Sequence, residues 1–377
     1  MRQLTFTRFI AAMSVVVYHW SLHTPALKAA IADYQVLLGP TMVSYFFVLS
    51  GFIMAAVYYR PGTVLDPWRY WTLRIARVYP VYLLGLMWMA ALLHFGIGDT
   101  RHDWKALLLG ALMLQAWSPV FALSVNAPGW SLSSEAFFYL VLPFVIAALA
   151  RSGRAIAFVV AIAAFWLASQ LVFHAALIKL YANTPVFSHA TLFYNPALHL
   201  NSFLVGVGAG VLLRRFREPA RTDANARSPF GTLTLIVLTV VAVISVARNL
   251  DSINAAIGVP FSPTNGLFAP LFALLLVALA IDHSVVSWLF ALRPLVVLGE
   301  ISYAIYILHT PVAWSVRTAL GDDFALAHSL RLFVLYFAAL IGVSYASYRW
   351  LETPIRQWVR RRLGSAQFDG IDAGARS

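Results

Sequence analysis

Residues 294–316 read PLVVLGEISYAIYILHTPVAWSV, an apolar run of 23 residues that contains one carboxylate, Glu300, and one imidazole, His309. A helix needs about 20 predominantly apolar residues to cross the hydrocarbon core of a bilayer. Backbone groups in that core find no water, so a crossing segment of this kind must be helical. The run therefore predicts a membrane-spanning helix with titratable side chains inside it.

The rest of the chain is also strongly apolar and poor in charged residues. It has 377 residues, 61% of them hydrophobic, a mean hydropathy of +0.77 and 11% charged residues, whereas soluble domains carry about 25% charged residues. A shorter apolar segment, 106–117, predicts a half-helix or re-entrant element. We expect an all-α integral membrane protein of about ten transmembrane helices, with a membrane domain at 1–350 and a short, basic, partly disordered tail at 351–377. The nine further predicted spans are 7–24, 38–59, 78–98, 131–150, 155–175, 195–213, 230–247, 264–281 and 328–348.

The formal net charge of +12 could suggest nucleic acid, but the basic residues form short clusters between apolar stretches, and no nucleic-acid-binding motif is present. With a cytoplasmic N-terminus and a non-crossing short segment, 20 of the 27 Lys and Arg residues lie in cytoplasmic loops. The positive-inside rule favours this arrangement, which is multi-pass with both termini cytoplasmic. The first seven residues lack a signal-peptide pattern, so the first span is expected to remain in the mature protein.

Cysteine is absent from the sequence, which excludes disulfides, thiolate metal sites and a cysteine nucleophile. Titratable groups within spans are costly and therefore become the candidates for function. His19 follows Arg8 by eleven residues, roughly 16 Å along a helix. It could act as a general base or be an interfacial histidine beside Trp20. Glu135 could orient a histidine or bind a substrate hydroxyl, or it could belong to a helix cap with Ser131.

Three arginines, Arg69, Arg74 and Arg77, follow one another within a short segment. Arg74 and Arg77 are three residues apart and share a helix face. They could bind phosphates bidentately, or they could be positive-inside anchors. Glu300 and His309 lie in one predicted span and are expected to be buried there. Tyr303, Tyr306 and His309 recur every three residues and predict a polar stripe, either facing a cavity shared with His19 or serving as hydrogen-bonding contacts between helices.

In order along the chain, these segments resemble the acyltransferase-3 family of membrane O-acyltransferases. The resemblance covers nearly the whole sequence. At Ala136 the chain departs from the family, because many relatives carry an acid or polar residue there. The matching motifs are Arg8-x10-His19, FFVLSGFIM (46–54), Arg74-x-x-Arg77 before Tyr79-Pro80, Trp130-Ser131-Leu132 with Glu135, LGEISYAIYILHTPV (298–312), and Leu351-Glu352-Thr353-Pro354.

The resemblance implies about ten helices, cytosolic acyl-CoA as donor and a bacterial inner (cytoplasmic) membrane location. Acetyl is the expected acyl group. The implied acceptors are hydroxyls of surface polysaccharides, lipid-linked sugars or lipopolysaccharide-type glycans, and some members modify small molecules such as macrolides. Glycan-assembly partners or a second copy of the chain are compatible with this reading, and no metal is expected.

Carried onto this sequence, the resemblance makes His19 the catalytic base or an acylated intermediate, with Glu135 orienting His19 or the sugar. The phosphates of acyl-CoA would be held by Arg74 and Arg77 with help from Arg69 and Arg8. The further substrate or oxyanion candidates are Trp130, Ser131, Glu300, Tyr303, Tyr306 and His309. A transporter or flippase is the rival class. Transporters often contain internal repeats, and no convincing repeat is visible here.

Overall fold

The computed structural model describes residues 1–35, 37–98, 103–183, 185–217, 229–258, 261–320 and 329–363. Within these ranges the regular secondary structure is helical throughout. The ten longest helices of the described residues are α1 Gln3–Ser21, α3 Met42–Tyr58, α4 Pro67–His94, α6 Trp130–Ser152, α7 Ala155–Asn183, α9 Leu200–Arg217, α10 Pro229–Arg248, α12 Ala269–Ile281, α14 Arg293–Leu320 and α15 Ser329–Ser347.

Shorter helices and single turns link the long ones. The short helices are α2 Pro25–Ala30, α5 Trp104–Ala111, α8 Pro185–Tyr194, α11 Leu250–Ile257, α13 Val285–Phe290 and α16 Thr353–Leu363. The π-helical turns are Leu37–Thr41 and Tyr348–Glu352. The 3₁₀ turns are Ala32–Tyr34, Gln115–Trp117, Ala127–Gly129, Pro196–His199 and Pro263–Asn265.

Each predicted span overlaps one of the ten long helices, although most of the helices extend beyond the predicted bounds. In the described part of the chain, eight helical segments are long and apolar enough to cross a membrane, and α1 and the 13-residue α12 are the two long helices outside that set. The all-α membrane fold is confirmed, while the count of ten crossings stays a prediction. The short segment forms α5, an eight-residue helix. Most of the basic loop 214–227 and the end of the tail lie outside the described residues.

Backbone-to-backbone contacts hold α3 against α9. A Cβ atom built on Gly51 of α3 would lie 2.0 Å from the carbonyl oxygen of Phe203, and one built on Gly206 of α9 would lie 2.0 Å from that of Val48. Helices in an apolar solvent associate through such close packing, because burying apolar surface gives them little advantage over lipid. The glycines therefore set the distance between these two helices.

We expect Gly206→Ala to destabilise the protein, because the added methyl group overlaps the Val48 carbonyl and the helices must separate. Overpacking of this kind costs about 1–3 kcal/mol. The midpoint of thermal unfolding in detergent is the measurement. Gly342→Ala is the matched control, since a Cβ atom there meets nothing within 4 Å. Equal midpoints for the two variants would contradict the packing argument.

Two helix prolines free carbonyl groups that other elements then bind. A proline inside a helix leaves the carbonyl four residues earlier without its N–H donor, and in a bilayer that carbonyl needs another partner. For Pro143 the freed carbonyl belongs to Tyr139 and accepts the indole N–H of Trp71 at 3.0 Å. For Pro311 it belongs to Ile307 and accepts the Asn126 amide at 3.1 Å.

Asn126 belongs to residues 112–129, which connect α5 to α6 and include both buried and exposed positions. Gln115 is buried there and donates to the Gly129 carbonyl at 2.8 Å and the Tyr82 hydroxyl at 3.1 Å. Met113 and Val125 adopt φ values of 56° and 58°, a conformation that is unusual for any residue with a Cβ atom. These contacts fix the start of α6 against α4 and α14, which is where the candidate site lies.

Candidate active site

A cavity of about 800 Å³, including the part that opens to the exterior, lies between α1, α3, α4, α6 and α14. Its wall combines three cationic side chains with one carboxylate, several hydroxyl groups and an apolar remainder. The polar lining residues are Arg8, Ser50, Arg74, Arg77, Ser131, Glu135, Tyr139, Tyr303 and Tyr306. A cavity with this balance of charge favours an anionic ligand that also has an apolar part.

The start of α4 places its two cavity arginines. The Asp66 carboxylate accepts the backbone N–H groups of Trp68 and Arg69 at 3.0 and 3.4 Å, and Pro67 occupies the first turn. Both features are typical of a helix N-terminus. Arg74 and Arg77 then emerge on one face, three residues apart, and meet Arg8 of α1 across the cavity.

Neutral groups hold Arg74 in place. Its guanidinium donates to the Tyr58 hydroxyl at 2.8 Å and contacts the Met54 sulfur at 3.5 Å, and it lies 5.5 Å from the centre of the Tyr58 ring. Its Nε atom is buried without a hydrogen-bond partner among the described residues. Arg74 is therefore oriented by neutral groups of the protein, and no carboxylate among the described residues is hydrogen-bonded to it.

Arg8 and Arg77 make no hydrogen bond or ion pair with the other residues that the structure describes, although both line the cavity. Arg8 and Arg74 are the other two cationic side chains of the same cavity wall. Glu352 is buried near Arg77 and Arg8, and one of its oxygens has no hydrogen bond among the described residues. Guanidinium groups so placed bind phosphates and carboxylates well.

Glu135 lies on the α6 wall, where one of its oxygens accepts from the Ser50 hydroxyl at 3.2 Å and, through a short hydrogen bond, from the Tyr139 hydroxyl. The expectation that Glu135 orients His19 does not match this geometry, since no contact joins the two among the described residues. Sequence reasoning missed Ser50 and Tyr139 as partners of Glu135, and it did not predict that Glu352 lies near Arg77 and Arg8.

His19 instead meets His309. Nδ1 of His19 and Nε2 of His309 are 3.1 Å apart, and the rings stack with centroids 4.9 Å apart. His309 is buried with 2% exposure, while His19 is half-buried. Gly299 brings the two helices together, because a Cβ atom there would lie 2.0 Å from the carbonyl oxygen of Thr5 on α1. The two histidines predicted at similar depth are thus in contact.

Tyr306 separates this histidine pair from the cavity. Its hydroxyl lies 2.9 Å from the Ser131 hydroxyl, which in turn donates to the Pro128 carbonyl at 2.9 Å. The Tyr306 ring packs against Phe46 on the cavity side and against His309 on the other side, with centroid distances of 5.6 and 6.1 Å. The cavity therefore ends at Tyr306, and the imidazoles lie directly behind it.

The sequence matches the acyltransferase-3 family, described as "Acyltransferase domain", over residues 1–349. The chain belongs to the acyltransferase-3 family. A relative, acyltransferase MdmB of Streptomyces mycarofaciens, is 32% identical over 154 residues, which are 37% of this chain and 38% of MdmB. The match thus spans less than half of the relative's length. No solved structure matches the chain.

Family membership confirms the resemblance of the sequence and makes the protein a membrane acyltransferase. All the residues that line the cavity, and both members of the histidine pair, lie within the matched range. Among the described residues, no group of three or more His, Cys, Asp or Glu side chains could hold a metal ion.

Arg69 and Trp130, also predicted as site residues of this acyltransferase, do not line the cavity. Arg69 is half-buried. Trp130 packs against Tyr194 and His199, each with ring centroids 5.1 Å away. Tyr303 does line the cavity, but its hydroxyl donates to the Val78 carbonyl at 2.7 Å.

Glu300 was expected to be buried with the tyrosines and His309, and this expectation is wrong. Glu300 is exposed and accepts from the Tyr348 hydroxyl at 2.5 Å. A spacing of three residues falls short of a full turn by roughly 60°. Over the nine residues from Glu300 to His309 the error grows to about 180°, so the polar residues spiral around α14 and do not share one face.

Proposed function

We propose that this acyltransferase transfers an acyl group, with acetyl expected, from cytosolic acyl-CoA to a hydroxyl of a cell-surface or lipid-linked glycan. One observation carries the proposal. Arg8, Arg74 and Arg77 line a single cavity that ends at Tyr306, and Tyr306 packs directly against the His19–His309 pair. The proposal therefore has a phosphate-binding region and a base along one route, with Arg8 and His19 roughly 16 Å apart along α1.

The arginines fit the donor. Coenzyme A carries a pyrophosphate and a 3′-phosphate, and planar guanidinium groups bind phosphate oxygens in bidentate fashion. Arg8 and Arg77 have their guanidinium groups uncommitted among the described residues, and Arg74 is held in position by Tyr58. The apolar part of the cavity wall, including Phe46 and Phe47, suits the pantetheine arm.

The chemistry takes place where the cavity ends. The Tyr306–Ser131 hydrogen bond opens so that the thioester carbonyl reaches His19. His19 takes the proton of the acceptor hydroxyl, the new C–O bond forms, the C–S bond breaks, and the CoA thiolate leaves. Base assistance of this kind is worth about 10²–10⁴-fold. The Tyr306 hydroxyl, once released from Ser131, is placed to donate to the developing oxyanion.

In the covalent variant, His19 itself is acylated and the sugar attacks second. Initial rates distinguish the two routes, because the covalent route gives parallel double-reciprocal lines and direct transfer gives intersecting lines. Glu135, with Ser50 and Tyr139, serves in either route as a hydrogen-bond acceptor on the α6 wall for a substrate hydroxyl.

Position along α1 suggests how the substrates enter. Arg8 lies near the start of α1 and His19 near its end, and the excess of basic loop residues puts that start at the cytoplasm. The donor then enters from the cytoplasm and the acceptor from the outer side of a bacterial inner membrane, with both termini cytoplasmic. Glycan-assembly proteins or a second copy of the chain are the partners that this arrangement would accommodate.

Proteoliposomes with acetyl-labelled acetyl-CoA test the proposal directly. We expect the label to move to extracted lipid-linked glycans, and we expect surface glycans to lose acetyl groups when the gene is deleted, as measured by mass spectrometry. Label that appears only on small molecules such as macrolides would overturn the glycan assignment. Solute movement without acetyl-CoA consumption would overturn the use of acyl-CoA.

A further inference from the structure

Three hydrogen bonds surround His309. Its Nδ1 atom lies 2.6 Å from the carbonyl oxygen of Tyr306, and its Nε2 atom lies 3.1 Å from Nδ1 of His19. Its own carbonyl oxygen accepts from the Tyr336 hydroxyl at 3.3 Å. With its side chain 2% exposed, His309 has both ring nitrogens engaged inside the protein.

These contacts determine where the protons lie in the neutral pair. A carbonyl oxygen can only accept, so Nδ1 of His309 must carry a proton. In a neutral imidazole the other nitrogen is then an acceptor, and Nε2 of His309 can only receive a hydrogen bond. Nδ1 of His19 must therefore be the donor, which leaves Nε2 of His19 without a proton.

We propose that His309 is the positioning residue that fixes His19 in the Nδ1–H tautomer and so leaves Nε2 of His19 as the basic atom. The inference rests on the proposed function in taking His19 as the base. It replaces the expectation that His309 donates to the oxyanion, since the one N–H group of neutral His309 is already bound to the Tyr306 carbonyl.

The surroundings keep His309 in this role. Pro311 breaks the regular hydrogen bonding of α14 just beyond it, and the Asn126 amide binds the freed Ile307 carbonyl. With Tyr336 bound to the His309 carbonyl, the helix is held on both sides of the ring. A ring held in this way offers its acceptor nitrogen to His19 in one orientation.

The first test compares two substitutions at this position. His309→Gln keeps a side-chain oxygen that can accept from Nδ1 of His19, whereas His309→Leu removes the acceptor. We expect kcat to fall by about 10²–10⁴-fold in the leucine variant, the scale of base assistance, and to be largely retained with glutamine. KM for acetyl-CoA should stay constant in both. Equal losses of kcat in the two variants would overturn the positioning role.

The second test reads the tautomer itself. Histidine-selective ¹⁵N NMR of the protein in lipid distinguishes protonated from unprotonated ring nitrogens, and the His19 signals are assigned by their loss in His19→Gln. We expect a protonated Nδ1 in the native protein and a shift towards protonated Nε2 in His309→Leu. A His19 spectrum that does not respond to His309→Leu would overturn the proposal.

The NMR readout also separates this inference from the proposed function. A native protein that shows the tautomer response but transfers no acyl group would overturn the function and support the His309–His19 hydrogen bond. An active acyltransferase whose His19 tautomer is indifferent to residue 309 would support the function and overturn the role of His309.

Discussion

His19→Ala is expected to lower kcat for acyl transfer by about 10²–10⁴-fold while KM for acetyl-CoA changes little. The reason is that the alanine removes the proposed base, and the neighbouring His309 cannot replace it, because its side chain is buried and its Nδ1 atom stays bound to the Tyr306 carbonyl. Initial rates of purified protein, with acetyl-CoA and with a phosphate-free donor such as S-acetyl-N-acetylcysteamine, are the measurement. Both donors should be affected equally.

His174→Ala is the matched control for this loss of a buried imidazole. His174 is buried and bound to the Gln170 carbonyl and the Ser262 N–H, on a helix that does not line the cavity. This variant should retain kcat even if its unfolding midpoint falls. Full activity of His19→Ala would remove both the general-base route and the acyl-histidine route.

Arg77→Ala is expected to lower kcat/KM for acetyl-CoA by about 10–100-fold, because a hydrogen bond to a charged group contributes about 1.5–3 kcal/mol. The loss should appear mainly in KM, since the phosphates lie far from the reacting carbonyl. With S-acetyl-N-acetylcysteamine, which has no phosphate, the variant and the native enzyme should react at similar rates. This contrast between donors distinguishes lost phosphate binding from damage to the fold.

Arg69→Ala is the control for removing an arginine from the same helix, because Arg69 does not line the cavity. Its kcat/KM should stay close to the native value. If Arg77→Ala lost activity equally with both donors, or if Arg69→Ala matched it with acetyl-CoA, Arg77 would have no specific role in holding the donor.

The helices were predictable because crossing a bilayer imposes a length and a composition that can be read one segment at a time. Contacts between helices were not predictable from the sequence. The partner of His19 depends on how α1 and α14 are rotated about their axes, and that rotation is set by the close approach at Gly299. Sequence spacing along α14 could not supply it, so Glu135 was expected to orient either His19 or the sugar, and His309 was expected only to share a cavity with His19.

For the arginine cavity, the local helix geometry was predictable but a neighbour from a distant segment was not. Arg74 and Arg77 were placed on one face from their three-residue spacing alone, because neighbours on a helix are fixed by its geometry. Glu352 was missed because it comes from a turn near the other end of the chain, Tyr348–Glu352, and only tertiary packing brings it beside Arg77 and Arg8. Local geometry was therefore predictable, and convergence of distant segments was not.

Arg8 and His19 belong to one continuous helix, so their axial separation of roughly 16 Å cannot adjust to the ligand. If the donor binds as proposed, α1 acts as a fixed gauge of donor length. A carrier whose arm is too short leaves its acyl group below Tyr306, and one that is too long pushes its phosphates out of the arginine cluster. Selection among acyl carriers would thereby depend on a rigid backbone as well as on the apolar wall proposed for the arm.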